Sequence, residues 1–349
     1  MKAMLLEDAV KLKFDDIRMP PCPEGGAVVR VEACGICRTD VKCYFQGQRD
    51  LKMPRILGHE MAGVVLEIDA MVQNLEPGSH VQVYPGLSCG DCDYCRQGNN
   101  NMCDNLQIMG FNYDGGFSGY LTVPAAGVAA GVLHPIPAGL SFSEASMTEP
   151  LACCINMLEI LEIKAGEHIL IYGAGRFGLL TAMLARLSAP GRVIILEPNE
   201  TRRIYAHRHG FKQTYDPRPS RLPEILHDLT GGRGVDLAVT CNPLEESFNS
   251  AIATLRKRGR LGFFSGLVGT GLTNLNLNLI HYKELTVKGA YGCSIRHNQA
   301  ALDLLGSKTI EVQDLITREI ALADLKDGLL MVKNQSEISI VITEFQGGI

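Results

Sequence analysis

His168-Ile-Leu-Ile-Tyr172 followed by Gly173-Ala-Gly175-Arg176-Phe177-Gly178 is the stretch that decides the fold. A Gly-x-Gly-x-x-Gly alone is a weak signal. Here it lies between an apolar five-residue run that predicts a strand and a run, Leu179 to Leu187, that predicts a helix. In that context the glycines give a tight turn and let backbone approach a pyrophosphate, which rests at the helix N-terminus. Gly173, Gly175, Arg176, Phe177 and Gly178 are therefore the expected dinucleotide-contacting residues. A second strand, Arg192-Val-Ile-Ile-Leu196, ends at Glu197. An acid there accepts hydrogen bonds from the adenosine ribose hydroxyls and repels a 2′-phosphate, so NAD is expected in preference to NADP. Arg202 and Arg203 follow closely and could counter-bind such a phosphate.

Outward from this motif, strands are expected at Gln213 to Tyr215, Val235 to Val239, Arg260 to Phe264 and Leu285 to Lys288. Helical patterns lie between most of them, and a further helix is expected from Leu151 to Ile163. Six strands alternating with helices predict a doubly wound parallel sheet, so the fold class is α/β. Residues 1–150 have another texture. Ala27 to Ala33, Met61 to Ile68 and Val81 to Tyr84 read as short strands among Gly and Pro, which predicts an irregular, barrel-like β domain, with a short helix from Thr39 to Tyr44 started by Thr39 or Asp40. Ser141 and Glu144 have the spacing of a capping box.

The β domain carries the chemistry. Cys34-Gly-Ile-Cys37-Arg38-Thr39-Asp40 and Gly58-His59-Glu60 gather thiol, imidazole and carboxylate in one short segment. A catalytic zinc takes three such ligands and keeps a fourth position open. Cys37 and His59 are the first two; Cys34 and Cys37 as a buried apolar pair or a redox dithiol is the alternative for the Cys-x-x-Cys taken alone. Downstream, Cys89, Cys92, Cys95 and Cys103 are spaced x2, x2 and x7 on a Gly/Asn-rich loop. Four thiolates so placed can close on one structural zinc, with an iron–sulfur cluster as the chemical competitor.

Together these motifs resemble the zinc-dependent medium-chain alcohol and polyol dehydrogenases over nearly the whole chain. The resemblance implies a GroES-like catalytic domain at 1–150 with the structural-zinc lobe at 89–103, a Rossmann domain at 151–288, and a return to the first domain over 289–349. It implies Thr39 as the hydroxyl that passes the alcohol proton onward, Asp40 as the carboxylate that orients His59, Arg38 as a pyrophosphate contact and Arg202 as a ribose contact. Glu149, in Thr148-Glu149-Pro150-Leu151, resembles the third zinc ligand of the sorbitol-like branch, and Glu60 competes for that role. Taken alone, Glu149 would read as an acid favoured by a helix N-terminus. Where many relatives end the proton relay in histidine, this chain has Lys42, a side chain that keeps its proton at neutrality unless burial removes it.

The expected activity is NAD-linked, zinc-dependent oxidation of a secondary alcohol of a polyol, sugar alcohol or cyclitol to a ketone, with two zinc ions per subunit. The alternatives are an L-threonine dehydrogenase-like amino-alcohol oxidation, a generic alcohol dehydrogenase, and a non-catalytic zinc- and NAD-binding protein. A homo-oligomer, tetramer or dimer, follows from the resemblance.

Composition sets outer bounds. At 349 residues, 46% hydrophobic with 37 glycines, the chain exceeds the usual limit of one core. A net charge of −5 with no basic cluster argues against nucleic acid or an anionic membrane as partner. The first residues lack a secretory pattern and no apolar run reaches a membrane span, so a cytoplasmic location is expected, with the twelve cysteines reduced or metal-bound.

Overall fold

The computed structural model describes residues 1–48, 50–69, 75–188, 190–218, 221–266 and 275–345. The chain forms two compact units, Met1–Ala152 with Cys293–Ile349, and Cys153–Gly292. The divisions thus fall after residues 152 and 292, against expected breaks after 150 and 288.

The first unit is built on the strand Ala27–Gly35. Its residues are buried on both faces at either end, so it reads as an apolar run and not as a clean alternation. It pairs antiparallel with Glu60–Ile68, Tyr120–Val123 and Ser339–Glu344. The seven-stranded sheet runs Leu133–Pro135, His80–Val83, Glu60–Ile68, Ala27–Gly35, Ser339–Glu344, Ile316–Ala321, with Tyr120–Val123 off that path. Its last two strands are parallel to each other and come from the C-terminal segment. A smaller sheet orders Lys11–Asp16, Lys2–Asp8 and Arg55–Ile56.

This pairing positions the chemistry. Gly35 lies opposite Glu60 across the central ladder, so the end of one long strand and the start of its neighbour bring the 34–40 and 58–60 segments together. The short helix is Arg38–Gln46 with Cys37 as its N-cap, two residues before the expected start. Asp40 explains the difference, because its Oδ2 reaches back to accept the Cys37 N–H at 2.8 Å and closes the first turn around it.

The second unit holds six parallel strands in the order Thr214–Tyr215, Arg192–Leu196, His168–Tyr172, Val235–Thr240, Leu255–Phe263, Thr286–Gly289. Numbered along the chain this is 3-2-1-4-5-6, the doubly wound order whose ligand crevice opens at the carboxyl ends where the winding reverses. Leu170, Tyr172, Ile194, Leu196, Ala238 and Leu261 from the strands pack with Leu226, Phe248 and Ile252 from the helices. The helix Thr148–Leu161 begins three residues before expected. Pro150 falls in its first turn, where its missing N–H costs no hydrogen bond. Among the described residues no helix is long and apolar enough to cross a membrane.

Candidate active site

Cys37, His59 and Glu60 are all buried, and one ligand atom from each lies within 4.8 Å of the others. His59 Nδ1 faces Asp40 Oδ1 at 3.4 Å, and neither atom makes a hydrogen bond elsewhere among the described residues. A carboxylate on Nδ1 fixes the imidazole tautomer and leaves Nε2 for an ion. Burial pushes the His59 pKa down, but Asp40 and then Cys37 outweigh it, and the net shift is upward. The buried imidazole thus stands between the Asp40 carboxylate and the Cys37 thiol, with the Glu60 carboxylate in the same group, a donor set suited to a cation. The Glu60 carboxylate rests on the backbone of Gly35, where any Cβ would lie 2.1 Å from Oε2. The donor set and its cradle therefore fit one zinc ion.

Thr39 is half-buried with its Oγ1 3.6 Å from Cys37 Sγ, and Phe111 packs its ring 5.5 Å from that of His59. Arg38 and Lys42 are exposed. Tyr44 is buried with its hydroxyl donating to the Val10 carbonyl at 3.2 Å, and Phe45 lies beneath Lys333, whose Nζ is 3.8 Å from the ring centroid. Cys34 is fully buried, its sulfur filling the space beside Gly58 and Gly116. Burial pushes that thiol well up, as expected for a core residue and not a ligand.

Glu149 is not part of the Cys37–His59–Glu60 group. It is buried in the first turn of Thr148–Leu161, with its carboxylate within 4.8 Å of the Cys293 sulfur. Nothing in the local sequence could place Cys293 there, since it arrives from the far end of the chain.

The four sulfurs of Cys89, Cys92, Cys95 and Cys103 lie within 4.8 Å of one another, and those of Cys89 and Cys103 are 3.5 Å apart. A tetrahedral tetrathiolate with ~2.3 Å bonds sets its sulfurs about 3.8 Å apart, so the lobe has the dimensions for one ion; a cluster with an iron under each sulfur would spread them. Amides of Cys89 and Asn105 donate to Cys103 Sγ at 3.3 Å each. Backbone hydrogen bonds from Asp104 and Cys95 draw the Cys92 thiol down to about 7, and the Asp91 side chain pushes that of Cys89 up to about 12.

In the second unit the fingerprint loop follows the central strand. A Cβ on Gly178 would lie 1.9 Å from the Gly173 carbonyl oxygen, so only glycine lets the helix Arg176–Leu187 start this close to the strand end. Arg176 is buried over the Phe177 ring, 5.4 Å from its centroid, and Phe177 meets Phe264 edge-on at 5.3 Å. Glu197 is buried, and its two oxygens each accept one amide at 2.8 Å, from Ala174 in the loop and from Asn199. Arg202 extends over the loop, with its Nη1 3.4 Å from the Cβ position of Gly175. The acid and the loop are thus one hydrogen-bonded assembly, a connection the spacing alone does not reveal.

Residues 23–137 match the alcohol dehydrogenase GroES-like domain and residues 177–307 the zinc-binding dehydrogenase family. D-xylulose reductase A of Aspergillus oryzae is 27% identical over 97% of this chain and 96% of its own. L-threonine 3-dehydrogenase of Pyrococcus furiosus is 30% identical over 87% of this chain and 86% of its own. Among solved structures, a zinc-binding dehydrogenase of Sinorhizobium meliloti bound to NADP superposes with a TM-score of 0.89 at 30% identity, covering 98% of each chain. With a GroES-like unit holding a Cys–His–Glu group and a parallel-sheet unit carrying the glycine fingerprint, the chain belongs to the zinc-dependent medium-chain dehydrogenase family.

Proposed function

We propose that this protein interconverts a secondary alcohol of a polyol, sugar alcohol or cyclitol with the corresponding ketone, using zinc and NAD. The observation that carries the reading is the buried Cys37–His59–Glu60 group backed by Asp40. Its polar, carboxylate-containing donor set suits a hydroxyl-rich substrate better than a greasy one. The likeness to a D-xylulose reductase supports the same substrate class.

Cys37, His59 and Glu60 would hold the catalytic ion, with Glu149 as a carboxylate that could replace Glu60 by movement. Bound there, zinc supplies a Lewis acid that makes a coordinated hydroxyl more acidic, and NAD supplies the hydride acceptor. Asp40 fixes the imidazole. The Thr39 hydroxyl, beside the Cys37 sulfur, would relay the substrate hydroxyl proton, giving up its own to ribose or water as it accepts. Lys42 is exposed, so the proton leaves through ribose or water and not through a buried relay. Cys89, Cys92, Cys95 and Cys103 would hold a second, structural zinc. Glu197 favours NAD, with Gly173, Gly175 and Gly178 at the pyrophosphate and Arg38 and Arg202 as further contacts. A homo-oligomer in the cytoplasm completes the proposal.

The test is NADH production, read by absorbance, across polyols, cyclitols, simple secondary alcohols, ethanol and L-threonine. A polyol or cyclitol should give the highest kcat/KM. Ethanol as the best substrate would replace this reading with a generic alcohol dehydrogenase. L-threonine as the best would favour the second reading, which the Pyrococcus furiosus relative supports and the absence of a histidine at Lys42 opposes.

A further inference from the structure

The adenosine end of the dinucleotide site carries a second carboxylate. Asp216 follows the strand Thr214–Tyr215, whose Tyr215 lies in register with Leu196. The Glu197 amide donates to the Tyr215 carbonyl at 2.9 Å, so Glu197 and Asp216 stand side by side at the carboxyl ends of two neighbouring parallel strands. That edge is where a doubly wound sheet presents its ligand.

Asp216 is engaged with two arginines. Arg218 grips it through Nε to Oδ1 at 2.8 Å and Nη2 to Oδ2 at 2.5 Å, a bidentate fork. Arg203 Nη1 lies 3.6 Å from Oδ2. Both guanidiniums also lean on the chain just after the Arg192–Leu196 strand. Arg203 Nη1 donates to the carbonyls of Glu197 and Pro198 at 2.8 Å each, and Arg218 Nη2 donates to that of Pro198 at 3.0 Å. The formal charges of Glu197, Asp216, Arg203 and Arg218 therefore cancel within one small cluster. Arg218 commits Nε and Nη2, and Arg203 commits Nη1, to these partners.

We propose that Asp216 is a cofactor-specificity residue: by holding the guanidiniums of Arg203 and Arg218 on the backbone carbonyls of Glu197 and Pro198, it withholds both cations from a 2′-phosphate and sustains the choice of NAD over NADP. The proposal rests on the NAD preference assigned above to Glu197, and it explains how that preference survives beside Arg203 and Arg218; Arg202, which lies over Gly175, is assigned above to the ribose. Repulsion from Glu197 alone would be offset by a mobile guanidinium nearby, since Arg is the side chain best matched to phosphate.

The experiment measures dissociation constants of NADH and NADPH by fluorescence titration of the full-length, zinc-loaded protein at low ionic strength. The comparison covers wild type, Asp216→Asn, Arg218→Gln and the double variant. Asp216→Asn removes the charge and frees two cations, so the NADPH/NADH affinity ratio should rise about fivefold or more, with the gain shrinking in 0.5 M salt. Arg218→Gln leaves Asp216 less compensated, and its ratio should move the opposite way; in the double variant, where Arg203 alone is freed, the gain should be smaller than in Asp216→Asn. A purely structural role would weaken both nucleotides together and leave the ratio unmoved. If the wild type prefers NADH and neither single variant changes the ratio, Asp216 is not a specificity residue. Should Asp216→Asn fail to fold, the Arg218→Gln ratio alone decides. Wild-type protein that bound NADPH as tightly as NADH would instead overturn the NAD reading, and the proposal with it.

Discussion

Asp40 uses its two oxygens for two tasks. Oδ2 closes the helix turn on the Cys37 amide at 2.8 Å, and Oδ1 faces His59 Nδ1 at 3.4 Å. One side chain thus sets the position of one candidate ligand and the orientation of another. Asp40→Asn keeps the shape but loses the charge, and zinc affinity at the catalytic site should fall about 10- to 100-fold while the four-cysteine lobe keeps its ion. Competition with a chromophoric chelator measures this directly; unchanged affinity would remove Asp40 from the site. The same assay separates the two glutamates. Glu60→Ala should cost the catalytic zinc in the resting protein. Glu149→Ala should leave that zinc largely in place and lower kcat if Glu149 acts by displacing Glu60 during turnover. Zinc lost from Glu149→Ala and kept by Glu60→Ala would reverse the assignment.

At the scale of elements, the legible parts were those whose signal is local. His168–Tyr172 and Arg192–Leu196 have the bounds their apolar runs suggest, and Ser141 and Glu144 exchange the capping-box hydrogen bonds, Ser141 N to Glu144 Oε2 at 3.0 Å and Glu144 N to Ser141 Oγ at 3.2 Å. What stayed hidden depends on distant partners. Ser339–Glu344 is a strand because Val341 and Ile342 pair with Gly35 and Cys34 at the end of Ala27–Gly35, and Ile316–Ala321 is one because it pairs with Ser339–Glu344 in turn. Asp236 is a third such case, and it staples three strands. Its Oδ2 accepts the His168 amide at 2.7 Å, and its Oδ1 accepts from Arg256 Nε, so the starts of Val235–Thr240, His168–Tyr172 and Leu255–Phe263 are tied at one point. Burial raises the Asp236 pKa, but the His168 amide and the Arg256 guanidinium outweigh it and hold the carboxyl below its usual value. A lowered carboxyl pKa stabilises the fold above the unfolded value near ~4, and the gain is lost as pH falls through the folded value. Asp236→Asn should therefore cost about 2 kcal/mol at neutral pH, with the gap to wild type narrowing below about pH 4. Urea unfolding at pH 7 and pH 3.5 tests it, and a gap that widened in acid would contradict the sign.

For the whole molecule, two zinc sites of different construction should part company under chelation. Four cysteine thiolates would close the lobe around an ion, whereas Cys37, His59 and Glu60 would supply three ligands and leave a fourth position for solvent or substrate. A chelator attacks through an open coordination position, so the catalytic ion should leave first. With it should go activity, but little stability, because its ligands sit at the ends of Ala27–Gly35 and Glu60–Ile68, strands held by their own long ladder. The lobe differs. Between Leu87 and Gln107 it has only a one-turn helix, Asp93–Arg96, and a short 3-10 turn, Asn100–Met102, so its loop depends on the ion for its shape. Purified protein should carry two zinc ions per subunit. Timed chelation should release the first with loss of turnover and a small change in Tm, and the second with a marked fall in Tm. Cys89→Ser should lose the second ion selectively. A single zinc per subunit that vanished in Cys89→Ser would leave the Cys37–His59–Glu60 group without a metal and end the catalytic assignment, whatever the fold.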